Sequence, residues 1–302
     1  MQPSEKTHYP ERRDGSPSIS PFPREARAAG TLPPGLTAEQ AHSLLAELES
    51  RPRGLLLDVD GTLSPIAITP EEARLLPGIT ALLEQAPQRF EVVAAISGRS
   101  AADARQIVGA PHLLYIGNHG LDRWEPGKSA PETAPEAVPF LPAIAQALDQ
   151  AEQKLAPRLP GVYVERKGAS GSVHTRRCAN PQQALEIVVE ALRPIAYQLG
   201  LRLTRGRLIA EFRPPIALDK GAAVERLVDQ HGLTSALYMG DDITDLDAFR
   251  ALHRLREAGV CMGIAVAVLH EEGSSALAAE ADLALPSIEA VPAFLAWLLD
   301  AV

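Results

Sequence analysis

The chain has 302 residues, a length that suits about two domains at roughly 100–200 residues each. A formal charge of −9 argues against a nucleic-acid partner, which would favour a basic patch, and the longest apolar run, near Gly259 to Leu269, is shorter than the roughly 18 residues a membrane helix needs. With no apolar signal segment at the start, and with Cys178 and Cys261 far apart in neither a metal nor a redox spacing, the composition predicts a soluble cytoplasmic protein that works without thiol chemistry.

Residues 1–36 are rich in Pro, Ser, Arg and Glu without a periodic apolar face, so they read as a disordered tail. Thr37-Ala38-Glu39-Gln40 has the form of a capping box and predicts a helix through about Glu49. A strand over 54–59, a helix near 78–86, a strand over 90–96, a helix near 101–108 and a strand over 112–116 follow, and this alternation implies a parallel sheet wrapped by helices. The Pro-, Glu- and Ala-rich stretch from Glu125 to Pro139 reads as a linker. A helix near 140–155 then precedes strand-like runs at 161–167 and 171–176. Helix 181–199 follows, opened by Asn180 as N-cap and with Pro194 expected to kink or shorten it. Strands 201–204 and 207–212 look like a hairpin through Arg205-Gly206. From Asp219 onward helix and strand alternate again to the end. The predicted architecture is an α/β protein: a doubly wound, Rossmann-like parallel-sheet core over 37–124 and 214–302, interrupted by a smaller α+β cap over 125–213.

Four segments carry chemistry. In Leu55-Leu56-Leu57-Asp58-Val59-Asp60-Gly61-Thr62-Leu63, an apolar strand delivers two carboxylates at i and i+2 into a glycine turn. Side chains two apart on a strand point the same way, so Asp58 and Asp60 leave the strand's carboxyl end together, where open α/β sheets hold their ligands. Two such like charges persist best where a divalent cation, a phosphate or a proton in transit uses them. Downstream, the strand ending at Ile96 leads into Ser97-Gly98-Arg99, Lys220-Gly221 opens a helix, and Leu237-Tyr238-Met239 leads into Gly240-Asp241-Asp242-Ile243-Thr244-Asp245. These four segments, in this order, resemble the four motifs of the haloacid dehalogenase superfamily. The resemblance implies that Asp58 is a nucleophile and Asp60 the acid and base that protonates the leaving oxygen and then activates water. It also implies that Ser97 and Lys220, with Thr62, hold phosphate oxygens. An acidic site of this kind suits Mg²⁺, which is assigned to Asp58, the Asp60 carbonyl and Asp241, with Asp242 and Asp245 as further candidates.

The predicted cap contains Val164-Glu165-Arg166-Lys167-Gly168, His174-Thr175-Arg176 and Glu211-Phe212-Arg213-Pro214, and the core contains Gly117-Asn118-His119-Gly120. Together with Lys220-Gly221 and Gly-Asp-Asp-x-Thr-Asp, these resemble the trehalose-6-phosphate phosphatase family over about Leu55 to Leu298. Thr175 stands where that family has Tyr. Glu165 and Lys167 share a strand face, where the acid can accept from and the ammonium donate to sugar hydroxyls. The resemblance extends the substrate-binding set to Arg176 and Glu211, with Arg99, Asn118, His119 and His174 as further candidates. It implies a monomeric, Mg²⁺-dependent phosphatase for a small sugar phosphate. Rival readings are a phosphatase of sucrose 6-phosphate or mannosyl-3-phosphoglycerate, and a catalytically inactive regulatory domain. A nucleotide-binding module is disfavoured because no Gly-x-Gly-x-x-Gly follows the first strand.

Overall fold

A computed structural model describes residues 31–67, 72–270 and 275–302, and the account below concerns the compact unit Leu32–Val302. The expected tail falls outside the described residues over 1–30. It does not extend to 36 as expected, because Leu36 is buried in the core.

The elements are α1 (Ala38–Glu47), β1 (Arg53–Leu57), α2 (Ile79–Gln85), β2 (Val92–Ile96), α3 (Ala101–Val108), β3 (Leu114–Gly117), β4 (Asp122–Trp124) and β5 (Glu132–Thr133). Then come α4 (Leu141–Leu155), β6 (Tyr163–Arg166), β7 (Gly171–His174), α5 (Pro181–Gln198), β8 (Arg202–Gly206) and β9 (Ile209–Arg213). The chain finishes with α6 (Lys220–His231), β10 (Ser235–Gly240), α7 (Leu246–Glu257), β11 (Met262–Val268), α8 (Ser275–Glu280), β12 (Leu283–Leu285) and α9 (Val291–Ala301).

The main sheet has the order β12-β11-β10-β1-β2-β3-β4-β5. Its strands are parallel from β12 through β3, and β4 and β5 add antiparallel at one edge. β1 is buried along its whole length, as expected of a parallel strand covered by helices on both faces. Leu55 and Leu57 enter the layer completed by α2, α3 and α9, whereas Leu56 enters the layer completed by α6 and α7. Burial of each such leucine contributes about 1.5–3 kcal/mol. The second sheet, β6-β7-β9-β8, is antiparallel and packs Val173 and Phe212 against Leu148 of α4 and Leu185, Val188 and Leu192 of α5.

Three local expectations change. The predicted linker 125–139 contributes β5 to the main sheet and buries Ala137, because its alanines reach a small apolar cluster with Leu121, Ala169 and Leu218. Pro194 does not end α5. It sits on the solvent side, while Leu192, Ile195 and Ala196 pin the next turn to the core, and Lys154 Nζ takes up the nearby Ala191 carbonyl at 3.1 Å. The β8–β9 turn falls at 207–208 rather than 205–206. Leu208 is held there at φ +60° as its carbonyl accepts from both the backbone N–H (3.0 Å) and the hydroxyl (3.2 Å) of Thr175. Buried Thr175 therefore anchors a turn of the cap sheet.

Candidate active site

β1 runs between β2 and β10, the place where the winding of the sheet reverses, and Asp58 follows its last residue. The backbone N–H of Asp58 still bonds the Met239 carbonyl at 2.9 Å, so the carboxylate is fixed by the end of the sheet itself. The chain then turns sharply, with Gly61 N–H on the Ser64 carbonyl. Gly61 adopts φ +86°, and a Cβ there would lie 2.0 Å from Asp241 Oδ2. Only glycine accepts both conditions at once. Similarly, a Cβ at Gly240 would lie 2.3 Å from the Asp245 carboxyl carbon. Gly61 thus lets the two acidic loops close onto each other, and Gly240 lets the second loop fold Asp245 back against its own strand end.

Between those loops stands Lys220, the first residue of α6, whose N-cap Asp219 accepts from Ala222 N–H. Its Nζ donates to Asp58 Oδ1 and to Asp245 Oδ1, each at 2.6 Å. Tyr238 OH donates to the same Asp245 oxygen at 2.6 Å, and the N–H groups of Asp241 and Asp242 bond its Oδ2 at 3.0 and 2.9 Å. Four donors thus use the roughly four acceptor positions of the fully buried Asp245 carboxylate.

One oxygen each from Asp58, Asp241 and Asp245 lies within 4.8 Å of the others. Burial first, then the neighbouring carboxylates, push Asp58 well above the ordinary range, with Lys220 opposing. Burial also raises Asp241, against the hydrogen bond from His270. Burial alone would lower the Lys220 ammonium, but Asp245 and Asp58 override it and hold it high. Three buried carboxylates and one ammonium leave a deficit of two positive charges when all are ionised. Hard oxygen donors with that deficit fit a divalent cation such as Mg²⁺.

At the rim, Arg99 grips Asp60 with two parallel bonds, Nε to Oδ2 at 2.6 Å and a terminal nitrogen to Oδ1 at 2.7 Å. Ser97, at the end of β2, is buried, and its hydroxyl accepts from Arg99 N–H at 3.1 Å. Thr62 hydroxyl stands 3.5 Å from Asp241 Oδ1. The imidazole of His119 lies against Gly98, and burial pushes it down to about 3, so the ring is neutral. Asn118 donates to the Lys167 carbonyl at 2.9 Å, joining the core to the cap sheet.

On the cap, Lys167 is the hub. Its Nζ lies 3.2 Å from Glu211, 3.7 Å from Glu165 and 3.2 Å from the Gly98 carbonyl of the core. Glu211 also accepts from Ser170 (3.0 Å) and Ser172 (3.4 Å). Its burial opposes ionisation, yet Lys167 foremost, with neighbouring basic groups including Arg213 and then the Ser170 hydroxyl, draws it down to about 2. Glu165 accepts from His174 Nε2 at 2.7 Å. Arg176 bonds the Ala67 carbonyl at 3.0 Å and lies within reach of the charges of Asp60, Arg99 and Glu165.

The structure gathers Asp58, Asp60, Thr62, Ser97, Arg99, Lys220, Asp241 and Asp245 at the carboxyl end of the main sheet, and Glu165, Lys167, His174 and Glu211 on the cap. Asp242, taken from the sequence as a metal ligand, does not join. It is exposed and caps the turn of 243–245 by accepting from Ile243 N–H at 2.7 Å. Tyr238, His270, Ser170 and Ser172 were absent from the expected set. Tyr238 alone left a signal, an aromatic hydroxyl one pleat before the acidic loop.

A family model described as trehalose-phosphatase matches residues 56–287. The trehalose-phosphate phosphatase of Mycobacterium leprae (strain TN) is 36% identical over 264 residues, which cover 84% of this chain and 58% of that protein. The trehalose-phosphate phosphatase of Mycobacterium avium (strain 104) is 35% identical over 238 residues, covering 77% and 59%. The chain thus spans less than two thirds of the length of either relative. The C-terminal domain of C. albicans trehalose-6-phosphate phosphatase superposes with a TM-score of 0.72 at 23% identity, over 91% of this chain and 100% of that one, a likeness of fold. Among the described residues no helix is long and apolar enough to cross a membrane.

Proposed function

The chain belongs to the trehalose-phosphatase family, and from that premise we propose that it hydrolyses trehalose 6-phosphate to trehalose and phosphate with the help of Mg²⁺. The observation that carries this reading is the Lys220 ammonium bridging Asp58 and Asp245 at the sheet's carboxyl end, beneath a cap whose polar cluster touches the core at Gly98.

Phosphoryl transfer asks mainly for positioning and charge stabilisation. Lys220 holds Asp58 Oδ1, which aims Oδ2 at phosphorus. That oxygen forms a bond to phosphorus while the bond from phosphorus to the sugar oxygen breaks, leaving an aspartyl phosphate on Asp58. Asp60, protonated from solvent once Arg99 has released it, gives that proton to the departing oxygen. It then takes one from the water that attacks phosphorus and frees Asp58. Because Asp60 starts in a two-bond grip with Arg99, the guanidinium exchanges this partner for substrate phosphate as the cycle begins. Ser97 and Lys220 bind the remaining phosphate oxygens. Asp58 and Asp241 are the residues that would hold the cation, whose charge would offset that of the transferred group; Asp245, with its acceptor positions occupied, orients Lys220 and the loop. Glu165, Lys167 and Glu211 meet the hydroxyls of the disaccharide.

Phosphate release across trehalose 6-phosphate, sucrose 6-phosphate, mannosyl-3-phosphoglycerate and a simple aryl phosphate, with Mg²⁺ and with chelator, tests the proposal. Trehalose 6-phosphate is expected to lead in kcat/KM and chelation to silence every substrate. Preference for another sugar phosphate overturns the substrate assignment, and full activity of a metal-stripped sample overturns the use of the acidic cluster.

The cap's part is tested at Glu165, which hydrogen-bonds within the cap. Glu165→Gln keeps the shape and removes a charged acceptor, so kcat/KM for trehalose 6-phosphate is expected to fall about 10–10²-fold, the value of a hydrogen bond to a charged group. Hydrolysis of the aryl phosphate, which needs no disaccharide contact, should scarcely change. Equal losses on both substrates would show that Glu165 serves closure rather than sugar recognition.

A further inference from the structure

His270 lies two residues beyond β11, in the loop facing the acidic cluster. Its Nε2 is 3.1 Å from Asp241 Oδ2, and the Gly61 backbone also hydrogen-bonds the ring. The imidazole therefore spans the loop that carries Asp58 and the loop that carries Asp241. It meets the same Asp241 oxygen that leaves no room for a side chain at Gly61, while the other oxygen faces the Thr62 hydroxyl. An ionised carboxylate can only accept, so in this pair the ring N–H donates.

A carboxyl group turns easily about its last bond, where the torsion is broad and two-fold. Asp245 is immobilised by four donors, and Asp58 by Lys220 and the sheet end. Asp241 has no ammonium within its own set of bonds, and its buried carboxylate is oriented by the ring. Partners that orient metal-binding groups set affinity by their geometry, and their loss typically costs 10–100-fold.

We infer that His270 is a positioning residue for the Asp241 carboxylate, holding one oxygen so that the other is presented to the divalent cation; the inference rests on the reading of the site as metal-dependent. The ring touches neither phosphate nor sugar in this role. Its effect is on cation affinity.

The test is calorimetric titration of Mg²⁺ into the full chain, compared with His270→Leu, which removes the donor, and His270→Gln, whose amide N–H can replace Nε2–H. His270→Leu is expected to weaken Mg²⁺ binding by about 10–100-fold, with a kcat deficit that shrinks as Mg²⁺ is raised. His270→Gln should stay close to the unsubstituted chain. Thermal midpoints in chelator report whether either variant is merely unfolded, and both are expected to match the parent. Unchanged Mg²⁺ affinity in His270→Leu, or equal losses in the two variants, overturns the positioning role alone. An unsubstituted chain that takes up no Mg²⁺ overturns the metal reading itself, and the inference with it.

Discussion

Asp58→Asn is expected to abolish multiple turnover, with kcat falling on the order of 10⁴-fold or more, the scale seen when a nucleophile is removed. The amide has the size of the carboxylate but cannot carry an acyl phosphate. The fold should survive the change. Burial and the neighbouring acids hold the Asp58 pKa well above its ordinary value, so stability falls as the pH rises from the unfolded pKa toward the raised one, and the loss is complete above it. A neutral isostere removes this cost while Lys220 keeps Asp245. The thermal midpoint at neutral pH is therefore expected to match or exceed that of the parent chain. Phosphate release and thermal denaturation on the same preparation check both halves. Sustained turnover by the Asn variant would mean that water attacks phosphorus directly.

Lys220→Met acts in the opposite direction on stability. The methionine fills the space but leaves Asp58, Asp241 and Asp245 buried with no ammonium among them. Removing one partner of a buried ion pair typically costs about 3–5 kcal/mol, and here one cation serves two carboxylates. Activity should vanish as well, because the phosphate loses a cationic partner and Asp58 its alignment. The pH dependence follows from losing Lys220, which in the parent opposes the rise of Asp58 and Asp241, so both rise further in the variant. With folded pKa values above the unfolded ones, their charged forms penalise folding above the folded pKa. Acidification through that value toward the unfolded range relieves the penalty. The deficit of Lys220→Met against the parent should thus be larger at pH 8 than at pH 5 in thermal or denaturant unfolding. A deficit independent of pH would mean that lost packing, and not unpaired charge, is what the lysine prevents. The parent chain should show no such trend from Lys220 itself. Its raised pKa stabilises the fold throughout the range below the unfolded value, and that contribution is lost only as strongly alkaline pH passes the folded one.

The residues legible from sequence share one property: each sits at the boundary of a run whose periodicity fixes its direction. Asp58 and Ser97 leave the ends of buried strands, Lys220 opens a helix, and Asp241 follows the apolar β10, so their convergence could be read before any coordinate. His270 follows an equally apolar strand, yet nothing local says which loop its ring will meet. Its partner is 29 residues earlier in the chain, across a parallel neighbour. Ser170 and Ser172 look like turn and strand filler until β7 pairs with β9 and sets Ser172 opposite Glu211. Asp242 lies outside the acidic cluster because a helical turn begins there and its side chain caps that turn. Short edge strands such as β5 carry too few residues for alternation to show, and Pro194 kept its helix because burial of its neighbours outweighs one missing hydrogen bond. For His270, Ser170 and Ser172 the limit was tertiary: their roles depended on which distant segment lay alongside.

The pairing of Leu55 with Leu237 also bears on how the chain acquires its structure during synthesis. The ribosome delivers the central strand of the main sheet, together with Asp58, long before β10 and Lys220 exist. Until they arrive, β1 has an open apolar edge on the β10 side, the kind of edge that invites association. The intervening cap pairs locally, β6 with β7 and β8 with β9, and local pairings form faster than distant ones. Once formed, it draws its two ends together around Leu121, Ala137, Ala169 and Leu218. A long loop is thereby replaced by a short one, which lowers the entropy that closing β1 against β10 must overcome. Substitutions that unfold the cap are then defects of yield as much as of selectivity: they leave the nascent core waiting, edge exposed, for its second half.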